Sequence, residues 1–200
     1  MDDLNAPTQA KAPTSDIAPA ETGPKWKGWL KELAETVVLA LLIFLVLRLL
    51  VQNFRIEGHS MEPNLHDGQF LIVDKISYRL HDPQRGDVIV FRSPSTPGKD
   101  FIKRVIGLPG EKVEIREGVV WVDDKAVAEP YVTYHGGRSW GPQRVKAGEL
   151  FVLGDNRPSS NDSRQWGMLP RDKVIGKAWL SYWPPQEWGF VPHVSHAGNR

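Results

Sequence analysis

Hydrophobic positions follow two different patterns along the 200 residues. Near the N-terminus they run together. Val37–Leu47 is an unbroken stretch of 11 apolar residues, Arg48 interrupts it, and Leu49-Leu50-Val51 resumes it. As a helix rising about 1.5 Å per residue, 37–51 reaches roughly 22 Å, short of the ~30 Å hydrocarbon core of a bilayer. Extension to 29–54 supplies the missing length. It leaves Glu35 and Arg48 near the two ends, where the Arg stem can snorkel. A buried core helix is the competing assignment. Lys25, Lys27 and Lys31 ahead of the run, with Trp26 and Trp29 at headgroup depth, favour a span whose N-terminus is cytoplasmic. Gln52-Asn53-Phe54-Arg55 offers none of the small residues of a cleavage site, so an uncleaved, single-pass anchor is expected over 29–54.

After the anchor the apolar residues come in short runs punctuated by Gly and Pro, the pattern of strands. The clearest are 70–73, 88–91, 101–106, 113–115, 119–122, 150–153 and 174–182, and Glu117-Gly118 reads as a hairpin turn between two of them. No amphipathic pattern of three helical turns follows residue 55, so the region is expected to be mainly β. Residues 107–148, rich in Gly, Pro and charge, read as an inserted smaller β region within a β core formed by 55–106 and 149–183. Residues 1–28 form a tail, and 1–24 lack the large apolar side chains that would offset ordering entropy, so disorder is expected there. The 184–200 tail carries Pro, Trp and His with no chemistry to assign.

Composition narrows this only a little. A net charge of +1 provides no field for nucleic acid. The absence of Cys removes disulfides, thiolate metal sites and a thiol nucleophile. Eight Trp fit either a core or a membrane interface, and Trp140, Trp183 and Trp188 are candidates for headgroup contact.

Three segments carry candidate chemistry. Gly58-His59-Ser60-Met61-Glu62-Pro63 joins the anchor to the first strand. Taken alone it is an ordinary turn, and His59 is a poor base for Ser60 because chain neighbours usually point apart. In Asp100–Gly107, a period of two puts Phe101, Lys103 and Val105 on one face. Lys103 is either a snorkelling surface lysine or a desolvated amine whose pKa falls toward neutrality, able to take a proton from a serine. Gly154–Gly167 packs Ser, Asp, Asn and Arg into one loop. It lacks the Gly and Glu of a calcium loop, so no metal is expected, and it fits a polar surface loop or a hydrogen-bonded support.

In this order, these segments resemble the type I signal peptidase family. Ser60-Met61 with Pro63 matches the nucleophile box, and Arg85–Phe91 the Arg-Gly-Asp strand. Lys103–Gly110 matches the lysine box, and Gly154–Arg157 with Ser163–Gly167 the last box. Each is modest alone; together, behind an anchor, they cover roughly 35–183. The resemblance implies a two-part antiparallel β fold, with Ser60 as nucleophile and Lys103 as general base. It implies that Ser160 orients the lysine amine, that Asp162 and Arg164 form a supporting pair, and that Asp155 pairs with Arg104. Ile56, Met61 and Ile102 fall at substrate-binding positions. Gly58 occupies the position where some members place an oxyanion-assisting Ser. The implied activity is a Ser–Lys dyad endopeptidase in a bacterial plasma membrane, its catalytic region extracytoplasmic. It cleaves signal peptides from exported preproteins after small residues of Ala-x-Ala type, with no cofactor. A self-cleaving Ser–Lys repressor and a non-enzymatic membrane-tethered β module are the alternatives; the anchor argues against the first, and the presence of both Ser60 and Lys103 against the second.

Overall fold

A computed structural model describes residues 25–194; the disorder expected over 1–24 lies outside them, as do 195–200. The chain divides into two units, Met1–Ile43 and Phe44–Arg200. One helix, α1 (Lys25–Leu50), occupies the described part of the first and runs into the second. Its apolar side chains are exposed on all sides, and 28–50 is long and apolar enough to cross a membrane. A helix that is apolar all round is one that is buried, in a membrane or in a protein core.

The helix differs from the expected anchor at both ends. Lys25–Gly28 are already helical. At the other end it stops at Leu50 rather than residue 54, because Val51–Arg55 form strand β1. Val51 is β-branched, Asn53 is a weak helix former, and the backbone pairs antiparallel with β2 (Phe70–Asp74) from Val51↔Asp74 to Arg55↔Phe70.

The remaining elements follow in order: a single turn α2 (Ser77–Leu80), then β3 (Val88–Arg92), β4 (Asp100–Gly107), β5 (Lys112–Arg116), β6 (Val119–Val122), β7 (Lys125–Ala126), β8 (Trp140–Arg144), β9 (Glu149–Leu153), the turn α3 (Ser163–Trp166), β10 (Leu169–Pro170), β11 (Val174–Trp183) and β12 (Gly189–Phe190). They build two antiparallel sheets. One runs β1-β2-β11-β3-β4-β9-β10 with β12 added to β11; the other runs β7-β6-β5-β8. The fold is thus mainly β behind one apolar helix. The β5–β6 hairpin turns at Glu117-Gly118, both with positive φ, as a tight two-residue loop requires. The edge strands β7, β8, β10 and β12 have no run of apolar residues and left no signal in the sequence.

The buried apolar side chains gather in clusters. Ile56, Met61, Leu65, Val88, Val90, Ile102, Ala178 and Val191 form one. Ile106, Val113, Val120, Phe151 and Leu153 belong to a second, where Trp140 packs on Phe151 with ring centroids 4.5 Å apart. Trp140 is thus partly buried by packing, whereas Trp183 and Trp188 are exposed.

Candidate active site

The segment after β1 returns on itself: the Ile56 N–H donates to Gln69 O at 2.8 Å and the Gly68 N–H to Ile56 O at 2.9 Å. Inside this loop is a helical turn in which the Asn64 and Leu65 N–H groups both donate to Met61 O. Met61 and Leu65 lie four residues apart and share the face that enters the core. Ser60 is left half-buried at the edge of the turn. Gly58 has φ +96°, where L side chains are strained, and its N–H is held by Asp67 Oδ1 at 2.7 Å. The Ser60 N–H donates to no group among the described residues. His59 faces Glu62, Nδ1 to Oε1 at 2.7 Å, and this contact raises its pKa above the ordinary value.

Lys103 projects from β4 and meets this turn. Its Nζ lies 2.7 Å from Ser60 Oγ and 2.8 Å from Ile102 O, with the Phe101 ring at 5.5 Å. Only 4% of the residue is exposed. Burial pushes the amine from 10.5 down to about 8, against the opposing pull of the Asp162 and Asp155 carboxylates. At pH 7 roughly a tenth of the amine is then neutral, against a few parts in ten thousand for an unperturbed lysine. A neutral amine at hydrogen-bond distance from a hydroxyl is a geometry for proton abstraction.

The loop after β9 closes the site. Asp162 is fully buried. Its Oδ1 accepts from Arg164 Nε at 2.8 Å, and its Oδ2 accepts from Arg164 Nη2 at 2.7 Å and from Gly154 N at 3.1 Å. Asp155 and Arg104 make a second two-pronged pair, Nε to Oδ1 at 2.9 Å and Nη2 to Oδ2 at 2.7 Å, with the guanidinium stacked on Tyr131. Ser160 is buried too, but its hydroxyl has no hydrogen-bond partner among the described residues and so does not bind the Lys103 amine here. A Cβ on Gly154 would lie 2.2 Å from Ser160 Oγ and 2.5 Å from Ser60 O, so only glycine lets the loop approach the turn this closely. Ile56, Met61 and Ile102 come together in one buried cluster.

A family model for signal peptidase, peptidase S26, matches residues 29–183. The chain belongs to the signal peptidase family. Its relatives include the signal peptidase I of Leptolyngbya laminosa, 39% identical over 194 residues that cover 91% of this chain and 95% of that one. A probable signal peptidase I-2 of Synechocystis sp. is 40% identical over 174 residues, 84% of this chain and 79% of that one. The signal peptidase I of Bacillus caldolyticus is 38% identical over 182 residues, 84% and 94% of the two chains. Membership carries the class of activity, that of a serine endopeptidase, and the family's attachment to membranes accords with α1.

Residues without a role assigned from the sequence also make contacts around the site. Asn64 Nδ2 reaches Asp155 Oδ2 at 2.9 Å and Tyr131 O at 2.8 Å. The Asn156 N–H donates to Ser60 O at 3.0 Å, and its side chain donates to His59 O at 3.0 Å. Glu129 and Arg157 form a buried pair, with Nη1 to Oε2 at 3.0 Å and a second, shorter contact between Nη2 and Oε1. Asn156 lies in the Gly-Asp-Asn-Arg motif, the sequence signal that points to it. Glu129 sits in a stretch with no periodicity and gave no signal.

Proposed function

We propose that the peptidase removes signal peptides from exported preproteins after small residues of Ala-x-Ala type, with Ser60 as nucleophile and Lys103 as general base. The observation that carries this reading is the 2.7 Å contact between a hydroxyl and a buried, pKa-depressed amine. Lys103 takes the Ser60 proton as Oγ attacks the scissile carbonyl. The protonated amine then delivers that proton to the leaving amine, and water hydrolyses the acyl-enzyme under the same base. The Ser60 N–H is one donor for the oxyanion. The Gly58 N–H is occupied by Asp67, so Gly58 serves the turn by its positive φ. Asp162 with Arg164 supports the base from the loop after β9. Ser160 belongs to the same loop, and on this reading its hydroxyl has the role of orienting the amine. Ile56, Met61 and Ile102 form the apolar floor against which small substrate side chains rest.

The Lys25, Lys27 and Lys31 cluster favours a cytoplasmic N-terminus and an extracytoplasmic catalytic region, and confinement to the membrane raises the effective concentration of enzyme for membrane-held preproteins. The catalytic core comprises 55–106 and 149–183, with 107–148 as an inserted region, in keeping with the separate sheet formed by β5 to β8. The test is cleavage of a preprotein by the purified full chain beside Ser60→Ala and Lys103→Ala. Both variants are expected to lose at least 10³-fold in rate. Parent-level cleavage by either removes the dyad.

A further inference from the structure

The C-terminal segment, to which the sequence assigned no chemistry, is tied to the site. After β11 the chain reverses, β12 pairs back at Leu180↔Phe190, and the Val191 N–H donates to Trp179 O at 3.0 Å. Val191 then enters the same buried cluster as Ile56, Met61 and Ile102. Pro192 O accepts from Arg104 Nη1 at 2.9 Å, sharing that nitrogen with Gly86 O, also at 2.9 Å.

His193 bridges two strands. Its Nδ1 accepts the Val88 N–H at 3.1 Å, and its Nε2–H donates to Ala178 O at 2.8 Å, so its two partners define the tautomer. The β3–β11 register runs Val174↔Phe91, Gly176↔Val90, Lys177↔Ile89 and then ends. Val88 and Ala178 are the next pair, and the imidazole stands where the next rung would be. Val88 is in turn paired with Arg104 on β4.

From Arg104 the connection continues inward. The guanidinium grips Asp155, Asp155 accepts from Asn64 in the nucleophile turn, and the adjoining Asn156 N–H holds Ser60 O. We propose that Val191–Val194 is a strap that positions the Ser60 turn through Arg104 and Asp155, with His193 as its clasp. Pro192 and His193 are positioning residues: neither touches the reacting atoms. The proposal rests on the dyad reading only in treating Ser60 as the group that is positioned.

The test compares His193→Ala and His193→Gln in the full chain, in detergent, with the parent. The alanine variant is expected to lose about tenfold in kcat with KM within twofold, because the defect lies in holding the nucleophile and not in the substrate floor. Glutamine offers one acceptor and one donor and is expected to recover to within threefold of the parent. Equal loss in both variants, or a loss confined to KM, overturns the strap. A second readout is independent of catalysis. Hydrogen exchange is expected to rise in peptides covering 59–65 and 153–157 of the alanine variant, and to stay unchanged in β5 and β6. Unchanged exchange at 59–65, or a uniform rise everywhere, overturns the strap whatever the fate of the dyad. Parent-level cleavage by Ser60→Ala, in contrast, would remove the dyad and leave the exchange result to decide the strap.

Discussion

Replacing Lys103 by Met keeps an unbranched stem of similar length and removes the amine. Activity should vanish, but the more informative change is in stability. The folded protein holds this amine at about 8 against 10.5 when unperturbed. Between those values the unfolded chain binds the proton and the folded chain does not, so unfolding takes up protons and wild-type stability rises with pH. Below pH 8 both states are protonated and the folded state carries the full burial penalty. At 1.36 kcal/mol per unit, 2.5 units is about 3 kcal/mol. Set against this are the contacts to Ser60 Oγ and Ile102 O that Met cannot make, at about 1 kcal/mol each. The variant should therefore be about 1 kcal/mol more stable than the parent at pH 7 and about 2 kcal/mol less stable near pH 11. Other groups titrate in both proteins and cancel in the difference. Denaturant unfolding of the two full-length chains in the same detergent, followed by Trp fluorescence from pH 7 to 11, measures the swing. A stability difference that is flat across this range refutes the claim that burial depresses the amine.

Three further outcomes are expected. Gly154→Ala forces a methyl against Ser60 O and Ser160, so preprotein cleavage should fall by about 10² or more, from the displacement of a positioned nucleophile; a loss under threefold shows that the loop can yield. Arg164→Met leaves the Asp162 carboxylate unopposed near Lys103, so the ascending limb of the kcat/KM–pH profile should move from about 8 toward higher pH by about one unit; an unmoved limb contradicts the assignment. Acid should destabilise the fold through His193, whose pKa burial and the nearby Lys177 and Arg104 lower to about 4, outweighing Asp87. Its neutral form is favoured by folding, so stability is complete above about 6.5 and falls by about 3 kcal/mol as pH drops toward 4; denaturation midpoints of parent and His193→Gln should converge over that window.

How much of this was legible depends on where each signal resides. The apolar run at 37–47 pointed to a membrane helix only together with its flanks, Lys25, Lys27 and Lys31 with Trp26 and Trp29, because a buried core helix carries a run of that length too. The end of the helix at Leu50 was not legible, since Val51 continues the hydrophobic count. What stops the helix is a partner strand about 20 residues later. The placement of Lys103 on an apolar face could be read from a period of two, and the contact with the Phe101 ring fits it. That Ser60 meets Lys103 could not be read locally, because the two are 43 positions apart and the order of boxes supplied the association. The Glu129–Arg157 pair was invisible for the same reason, since only Arg157 lies in one of the boxes. His193 and Pro192 act through backbone groups of β3 and β11 and through a carbonyl, and backbone partners leave no trace in residue type.

The electrostatics of the site explain why it needs more charges than a dyad uses. A lysine becomes a base near neutral pH only if desolvation outweighs every nearby negative charge, yet two buried carboxylates, Asp155 and Asp162, stand close enough to raise its pKa. Each is gripped by its own arginine through two parallel hydrogen bonds, Arg104 and Arg164 respectively. Pairing offsets part of each charge, so the carboxylates serve as rigid acceptors for Asn64 and the Gly154 N–H while their pull on the amine stays smaller than the effect of its burial. Removing the carboxylates would dry the site further but would free the loop that holds Ser60 O. Removing the arginines would keep the loop and pull the amine back toward the protonated state. The paired arrangement separates the two requirements: the loop is held by carboxylates, and the base is tuned by how well each carboxylate is neutralised. Arg164 is neutralising from within its own loop, whereas Arg104 relies on Gly86 and Pro192 carbonyls contributed by distant segments. The C-terminal strap therefore bears on Arg104, the one of the two arginines whose position the loop does not fix.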